Sequence, residues 1–87
     1  MQNENVIRAA EIVGSQRSLA EHIGVTPGAV SQWALGLYVV PVERAVQIER
    51  VTDGAVTRRD LRPDDWGDIW PELIDAEHPW PMKAEAA

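Results

Sequence analysis

The chain has 87 residues, of which 45% are hydrophobic and 25% charged, and it contains no cysteine. So short a chain holds one small domain, which argues against an enzyme with an enclosed cleft. Disulfides and thiolate nucleophiles are excluded, and no apolar run approaches the roughly 20 residues that span a bilayer, so we expect a cytoplasmic protein without membrane contact.

The net charge of −6 comes from one end of the chain. Residues 1–62 carry seven arginines and seven acidic residues, whereas residues 63–87 carry one lysine and seven acidic residues. The overall acidity therefore does not exclude a nucleic-acid partner for the first 62 residues.

Short helices are predicted throughout the first 62 residues, because apolar residues recur at spacings of three and four. Asn3 is a candidate N-cap of the first helix, and Gly24 ends the second. Thr26 can cap the third helix, which has proline in its first position. Thr57 and Asp60 form a capping box for a short fifth helix. The predicted helices cover residues 3–13, 16–23, 26–35, 41–52 and 57–62.

Residues 16–33 have the pattern of a helix-turn-helix motif. Two steeply crossing helices need a small side chain at their contact, which Ala20 provides, and a turn residue that tolerates positive φ, which Gly24 provides. Val25 and Val30 follow Gly24 by one and six positions, and together with Trp33 they fill the corner. The second helix of such a motif presents its N-terminal half to the major groove of DNA.

The residues expected at the DNA fall into two groups. Base-edge contacts are expected from the exposed N-terminal end of the third helix, where Thr26, Gly28, Ala29, Ser31 and Gln32 would lie near base edges. The Gln32 amide can pair with adenine through two hydrogen bonds, worth about 1 to 3 kcal/mol of discrimination. Phosphate contacts are expected where the second helix begins, at Gln16 and Arg17. The alternative is that these are ordinary solvent-facing helix residues.

Further along, Arg44, Gln47 and Arg50 are expected to face solvent from the fourth helix. These arginines and those at 58, 59 and 62 could line a DNA backbone, but interleaved acidic residues favour a solvated ion-pair surface for most of them.

The chain resembles the Cro-like, YdaS-type family of prophage helix-turn-helix proteins, through GSQRSLAEHIGVTPGAVSQW, VPVERAVQIERVTDGAVTRRDLRP and the following DDWGDIWPEL. The resemblance implies an all-α, λ-repressor/Cro-like domain of about five short helices that represses transcription on operator DNA. In some members it implies a neighbouring toxin gene, which would make the chain an antitoxin. Leu37 and Tyr38 stand where such proteins commonly carry Lys or Arg, so we expect weak non-specific DNA binding and a homodimer.

The acidic end of the chain contains one helical stripe, formed by Trp66, Ile69, Trp70 and Leu73. The stripe predicts one or two loose turns that either extend the core or contact a partner. Candidate interface residues are Leu37, Tyr38, Trp66 and Trp70. We assign residues 1–63 to the DNA-binding domain, residues 64–74 to an extension packed on it or at an interface, and residues 75–87 to a mobile acidic tail.

The favoured function is sequence-specific DNA binding by a transcriptional regulator, a Cro-type repressor of a prophage or toxin–antitoxin operon, with residues 26–35 in the major groove of double-stranded operator DNA. The alternative is a protein-interaction module, an antitoxin or phage regulator whose acidic tail binds a toxin or phage protein. No motif indicates catalysis, and neither His22 nor His78 has a second ligand at metal spacing. We therefore expect no enzyme activity, metal or cofactor.

Overall fold

All regular structure in residues 2–80, the part of the chain that the computed structural model describes, is helical. In this part a single 3₁₀ turn, Pro71–Leu73, follows the α-helices α1 (Glu4–Val13), α2 (Gln16–Ile23), α3 (Pro27–Ala34), α4 (Val42–Val51), α5 (Arg58–Leu61) and α6 (Trp66–Ile69). The all-α prediction is confirmed, and each of the five predicted helices begins within one residue of an observed one.

Side-chain caps explain why the helices begin where they do. The Asn3 carboxamide accepts hydrogen bonds from two backbone N–H groups of α1, at 3.1 and 3.2 Å. Ser15 and Thr26 each accept one, at 3.0 and 3.1 Å, and so cap α2 and α3. The predicted capping box of Thr57 and Asp60 is present at α5. Each cap satisfies donors that a helix leaves unpaired and contributes about 1 kcal/mol.

One apolar core joins the helices. α1 packs against α2, α3 and α5, and α2 packs against α3 and α4. The large side chains that are fully buried come from every helix and from two connecting loops: Val6, Leu19, Ile23, Val30, Val40, Ile48, Val56, Leu61 and Trp66. The α2–α3 pair is therefore supported by α1 and by α4, which fixes its geometry.

Arg44 does not face solvent as the sequence predicted. Its guanidinium donates to the carbonyl oxygen of Ile23, at the end of α2, at 2.9 Å, and to the side-chain oxygen of Gln47 at 2.8 Å. Both Arg44 and Gln47 are half-buried, whereas Arg50 is exposed as predicted. The prediction failed because the last carbonyls of α2 lack helical partners and draw a donor from α4.

Trp66 and Trp70 extend the core. Their exposed fractions are 1% and 8%, so neither ring presents a surface to a partner. Of the two alternatives for these residues, the structure agrees with the core and not with the interface. Arginine side chains of α5 cover them from outside: Arg58 lies 5.4 Å from the Trp70 ring and Arg59 lies 5.7 Å from the Trp66 ring. These cation–π contacts hold residues 64–74 against the domain.

Trp80 packs back onto the extension. Its ring meets that of Trp66 edge-on at 5.1 Å, and its indole N–H donates to Asp68 at 3.1 Å. A Cβ on Gly67 would lie 2.1 Å from the Trp80 ring, so the ring lies directly on the Gly67 backbone. These contacts do not fit a mobile tail over residues 75–80. The rest of the predicted tail, residues 81–87, lies outside the described residues.

Candidate nucleic-acid interface

α2 and α3 form a helix-turn-helix unit around a buried corner. Ala20 is fully buried between them, and the N–H groups of Gly24 and Val25 both donate to its carbonyl oxygen. Gly24 has a φ of 76°, in the left-handed region, so the turn requires glycine as predicted. Val30 and Trp33 fill the corner from α3. The corner buries the inner face of α3 and leaves its outer face free.

The five predicted base-contacting residues lie together on α3 and its N-cap, from Thr26 to Gln32. Thr26, Gly28 and Gln32 are exposed, whereas Ser31 and Ala29 are half-buried. The Thr26 oxygen accepts the Ala29 N–H, so its hydroxyl hydrogen remains available to donate to DNA. The Ala29 methyl packs partly against the core, which leaves only part of it for contact with a thymine.

The outer face of α3 is a stripe without charge. Gly28, Ser31, Gln32 and Leu35 follow each other at intervals that place them on one side of the helix. The whole segment of residues 23–42 contains no charged side chain. Within residues 2–80 the Gln32 amide makes no hydrogen bond, so both its donor and its acceptor are free. Such a surface suits the hydrogen-bonding edges of bases better than phosphates.

The predicted phosphate contacts lie at the N-terminus of α2. Gln16 and Arg17 are its first two residues, and both side chains are exposed. The Ser15 cap engages the N–H of Ser18, which leaves the first two amides of the helix unpaired. Arg17 forms no ion pair with the acidic side chains of residues 2–80. Free amides and a free guanidinium at one helix start are suited to bind a phosphate.

Most other arginines are engaged elsewhere on the domain. Arg58 pairs with Glu49 at 2.5 Å, Arg44 binds the end of α2, and Arg59 lies over a tryptophan ring. The solvated ion-pair surface that the sequence favoured is thus seen in part, although these side chains are half-buried and also hold helices together. Arg17 is the one Lys or Arg in residues 14–42.

Arg62 fixes the loop that follows α3. Its guanidinium donates to the carbonyl oxygen of Val40 at 2.7 Å and binds both oxygens of Asp65, at 2.7 and 3.1 Å. The hydrogen bonds from Arg62 lower the pKa of the Asp65 carboxyl, and Asp65 in turn raises the pKa of Arg62. The far end of the loop is therefore tied to α6 through a fixed charge pair.

An apolar loop, defined here as residues 35–39, projects from the surface next to α3. Leu37 and Tyr38, the other two of the four predicted interface residues, are 65% and 63% exposed. Leu35 and Val39 are 50% and 60% exposed and were missed. Leu35 could have been found from its place one turn after Gln32 on the outer stripe of α3. This loop is the largest run of exposed apolar side chains in the described residues.

No group of three or more His, Asp or Glu side chains in residues 2–80 is arranged to hold a metal ion. No helix in that range is long and apolar enough to cross a membrane.

The chain is similar to a known protein family, to a curated protein and to a solved structure. The family described as bacterial toxin YdaS matches residues 6–69. A candidate transcriptional regulator named YdaS, from Escherichia coli (strain K12), is 42% identical over 66 residues, which cover 75% of this chain and 67% of that protein. The solved structure of a Cro protein from a prophage element, Xfaso 1 of Xylella fastidiosa strain Ann-1, superposes with a TM-score of 0.67 at 44% identity, covering 72% of this chain and 95% of that one.

These names confirm the predicted resemblance and the Cro-like fold. They refer to a toxin, to a regulator of transcription and to Cro, so the antitoxin role stays a prediction. Since the family match covers most of the chain and the helix-turn-helix lies within it, this protein belongs to the YdaS family and has the helical fold of a Cro protein.

Proposed function

We propose that this protein is a sequence-specific DNA-binding regulator of transcription that reads the major groove with α3. The observation that carries the proposal is the outer stripe of α3, which is exposed, uncharged and held by a buried helix-turn-helix corner. A regulator and a Cro protein among the relatives support the same function. The relatives also argue against an enzymatic role.

Base readout in this proposal depends mainly on Gln32. Its free carboxamide can donate to N7 of adenine and accept from the N6 amino group of the same base. This pairing is worth about 1 to 3 kcal/mol against a wrong base. Ser31 adds a short donor on the same stripe, and Thr26 adds a hydroxyl at the helix start. Ala29 contributes apolar contact to a thymine methyl through the part of its surface outside the core.

Phosphate contacts set the register of α3 in the groove. The N-terminus of α2 supplies the Gln16 and Arg17 side chains and two free amides, which together can bind one phosphate on each half-site. Because residues 23–42 are uncharged, few counterions are released and non-specific DNA binding is weak. Selectivity for the operator then comes mostly from base contacts.

Binding of this kind represses transcription when the operator overlaps a promoter, as the Cro resemblance implies. We place the chain in a prophage or toxin–antitoxin operon on the same ground. One α3 reads too few bases to be selective, so two copies related by a dyad are needed, with half-sites about one turn of DNA apart.

The apolar loop is the surface that we assign to the homodimer. The exposed fractions of its four large side chains correspond to about 450 Å² of apolar surface per protomer. Two such surfaces bury about 900 Å², which lies just below the roughly 1,000 Å² of a stable biological interface. We therefore expect a weak dimer that forms mainly on operator DNA, held next to the two recognition helices.

The dimer is tested by Leu37→Glu, with Ile12→Glu as the matched control at an exposed apolar residue of α1. Sedimentation of the DNA complex should give two protomers per operator for the wild type and the control, and one or none for Leu37→Glu. Two protomers bound with unchanged affinity in Leu37→Glu would remove the loop from the interface.

The function is tested by fluorescence anisotropy with labelled DNA from upstream of the gene and a scrambled duplex of equal length. Gln32→Ala should reduce the preference for the upstream DNA about 5- to 150-fold while its circular dichroism stays unchanged. Gln2→Ala, a substitution of the same type at an exposed residue before α1, should bind as the wild type does. Equal binding of both duplexes by the wild type would contradict the proposal.

The protein-interaction alternative has weaker support. The tryptophans of this end of the chain, Trp66, Trp70 and Trp80, could anchor a partner, but all three pack within the chain. Most acidic residues of this end are exposed in the described part of the chain: Asp64, Asp68, Glu72, Asp75 and Glu77. The alternative therefore becomes the better account if the wild type discriminates no DNA.

A further inference from the structure

Gly28 differs from the other five glycines of the chain, because neither its backbone angle nor a close contact with the described residues requires a glycine there. Gly14, Gly24, Gly36 and Gly54 have φ between 76° and 123°, where a side chain is strained. The remaining one, Gly67, leaves room for the Trp80 ring. Gly28 has neither a positive φ nor a crowded position.

A side chain at Gly28 would fit the isolated domain. A Cβ built there meets only the Thr26 hydroxyl oxygen, at 3.9 Å, which is an ordinary contact. Residue 28 is the second residue of α3, where alanine is a better helix former than glycine. The domain would thus be more stable with alanine, and glycine at this position serves something outside the domain.

We infer that the bare backbone at Gly28 lies directly against base edges on the floor of the major groove. This inference rests on the proposed function and assigns a specificity-determining role to a residue without a side chain. Gly28 lies one helical turn before Gln32 on the same exposed face. Its neighbours Pro27 and Ala29 also carry no long side chain, so the first turn of α3 can approach DNA closely.

The depth of that approach decides whether Gln32 reaches its base. A Cβ at residue 28 would hold α3 outward by about 1.5 Å, the length of one carbon–carbon bond. Hydrogen bonds to bases need donor–acceptor distances of about 2.7 to 3.2 Å, so a shift of this size breaks the Gln32 pairing. Base readout is lost, whereas contacts of Arg17 with phosphates can adjust through its flexible side chain.

The test uses Gly28→Ala, Gly28→Ser and Gly28→Gln in the full chain, with the upstream and scrambled duplexes. Gly28→Ala should raise Tm by about 2 to 8 °C and weaken binding to the upstream DNA at least tenfold, with scrambled binding unchanged. Ser and Gln should weaken it further. Gly54→Ala is the matched control, because Gly54 follows α4 and lies outside the helix-turn-helix unit: strain at φ 84° should lower its Tm, while its preference for the upstream DNA at low temperature is retained.

Each outcome decides one claim. If the wild type prefers the upstream DNA and Gly28→Ala binds equally well, the inference about Gly28 is overturned and the proposed function stands. An affinity of Gly28→Gln for the upstream DNA equal to or higher than that of the wild type would also overturn it, because a side chain at residue 28 would then have room to contact a base. If the wild type itself shows no preference, the proposed function fails and the inference fails with it.

Discussion

Arg17 gives the sharpest prediction about electrostatics, because it is the one cation in residues 14–42 and its guanidinium forms no ion pair within residues 2–80. Each arginine–phosphate contact on duplex DNA contributes about −0.9 to the slope of log K against log salt concentration. A dimer places two Arg17 side chains on the operator, which together contribute a slope of about −1.8. Arg17→Gln should therefore weaken operator binding about 200-fold at 50 mM salt and about 20-fold at 200 mM salt.

The assay is anisotropy at four or more salt concentrations between those limits, with circular dichroism as the check on folding. Arg50→Gln is the matched control, since Arg50 is an exposed arginine at the end of α4, outside the helix-turn-helix unit. It removes the same charge and should leave the slope within experimental error of the wild type. A salt slope for Arg17→Gln equal to that of the wild type would refute the phosphate contact at α2.

Three further predictions concern the packing that supports the site. Asp65→Asn should lower stability at pH 7 by about 0.5 to 1 kcal/mol. Because the pKa of Asp65 is lowered in the fold, its contribution to stability is present above the ordinary carboxyl pKa of about 4 and is lost as the pH falls through the lowered value. The stabilities of the two proteins in urea unfolding should therefore converge in acid, and a difference that stays constant with pH would contradict the Arg62 pairing. Trp80→Ala should lower stability by about 1 to 2 kcal/mol with DNA binding unchanged, measured by thermal unfolding and anisotropy; an unaltered Tm would mean that the ring does not pack on the extension. Arg44→Met should cost about 1 kcal/mol by leaving the Ile23 carbonyl without its donor, again in urea unfolding, and no loss would show that water replaces the guanidinium.

Local signals predicted most of the fold. Asn3, Thr26 and Thr57 could be identified as helix starts because a cap bonds to an amide two or three residues away, within reach of a short sequence pattern. Gly24 could be identified as the turn because glycine after a helical stripe supplies positive φ. The helix-turn-helix unit needs only such local features and a small residue at the crossing, so its residues were placed correctly.

Contacts between distant segments were not predictable in the same way. The hydrogen bond from Arg44 to the Ile23 carbonyl joins residues 21 positions apart, and nothing in the α4 pattern distinguishes Arg44 from Arg50. The contact of Trp80 with Gly67 depends on a chain reversal after the 3₁₀ turn, in a segment without periodicity. Such contacts follow from which donors and surfaces remain free once the helices are packed, and that is decided by the tertiary structure.

The candidate site also contains some residues that local sequence patterns predict and others whose exposure depends on tertiary packing. The positions of Thr26, Gly28 and Gln32 on α3 followed from helix periodicity, and their exposure agrees with it. The size of the apolar loop could be foreseen only in part. Leu35 follows from its place on the outer stripe of α3, whereas the exposure of Val39 depends on how Arg62 holds the neighbouring Val40. The restricted exposure of Ala29 likewise reflects the close packing of α3 on the core.

The most direct test of the account is an NMR titration of the ¹⁵N-labelled protein with the upstream duplex, following the backbone amide of every residue. The account predicts that the largest shift changes occur at residues 16, 17, 26, 28, 31 and 32, with smaller changes at residues 35–39 where the second protomer binds. Residues 58–78 should remain nearly unchanged. Shift changes concentrated in residues 58–78, with α2 and α3 unaffected, would contradict the assignment of DNA reading to α3.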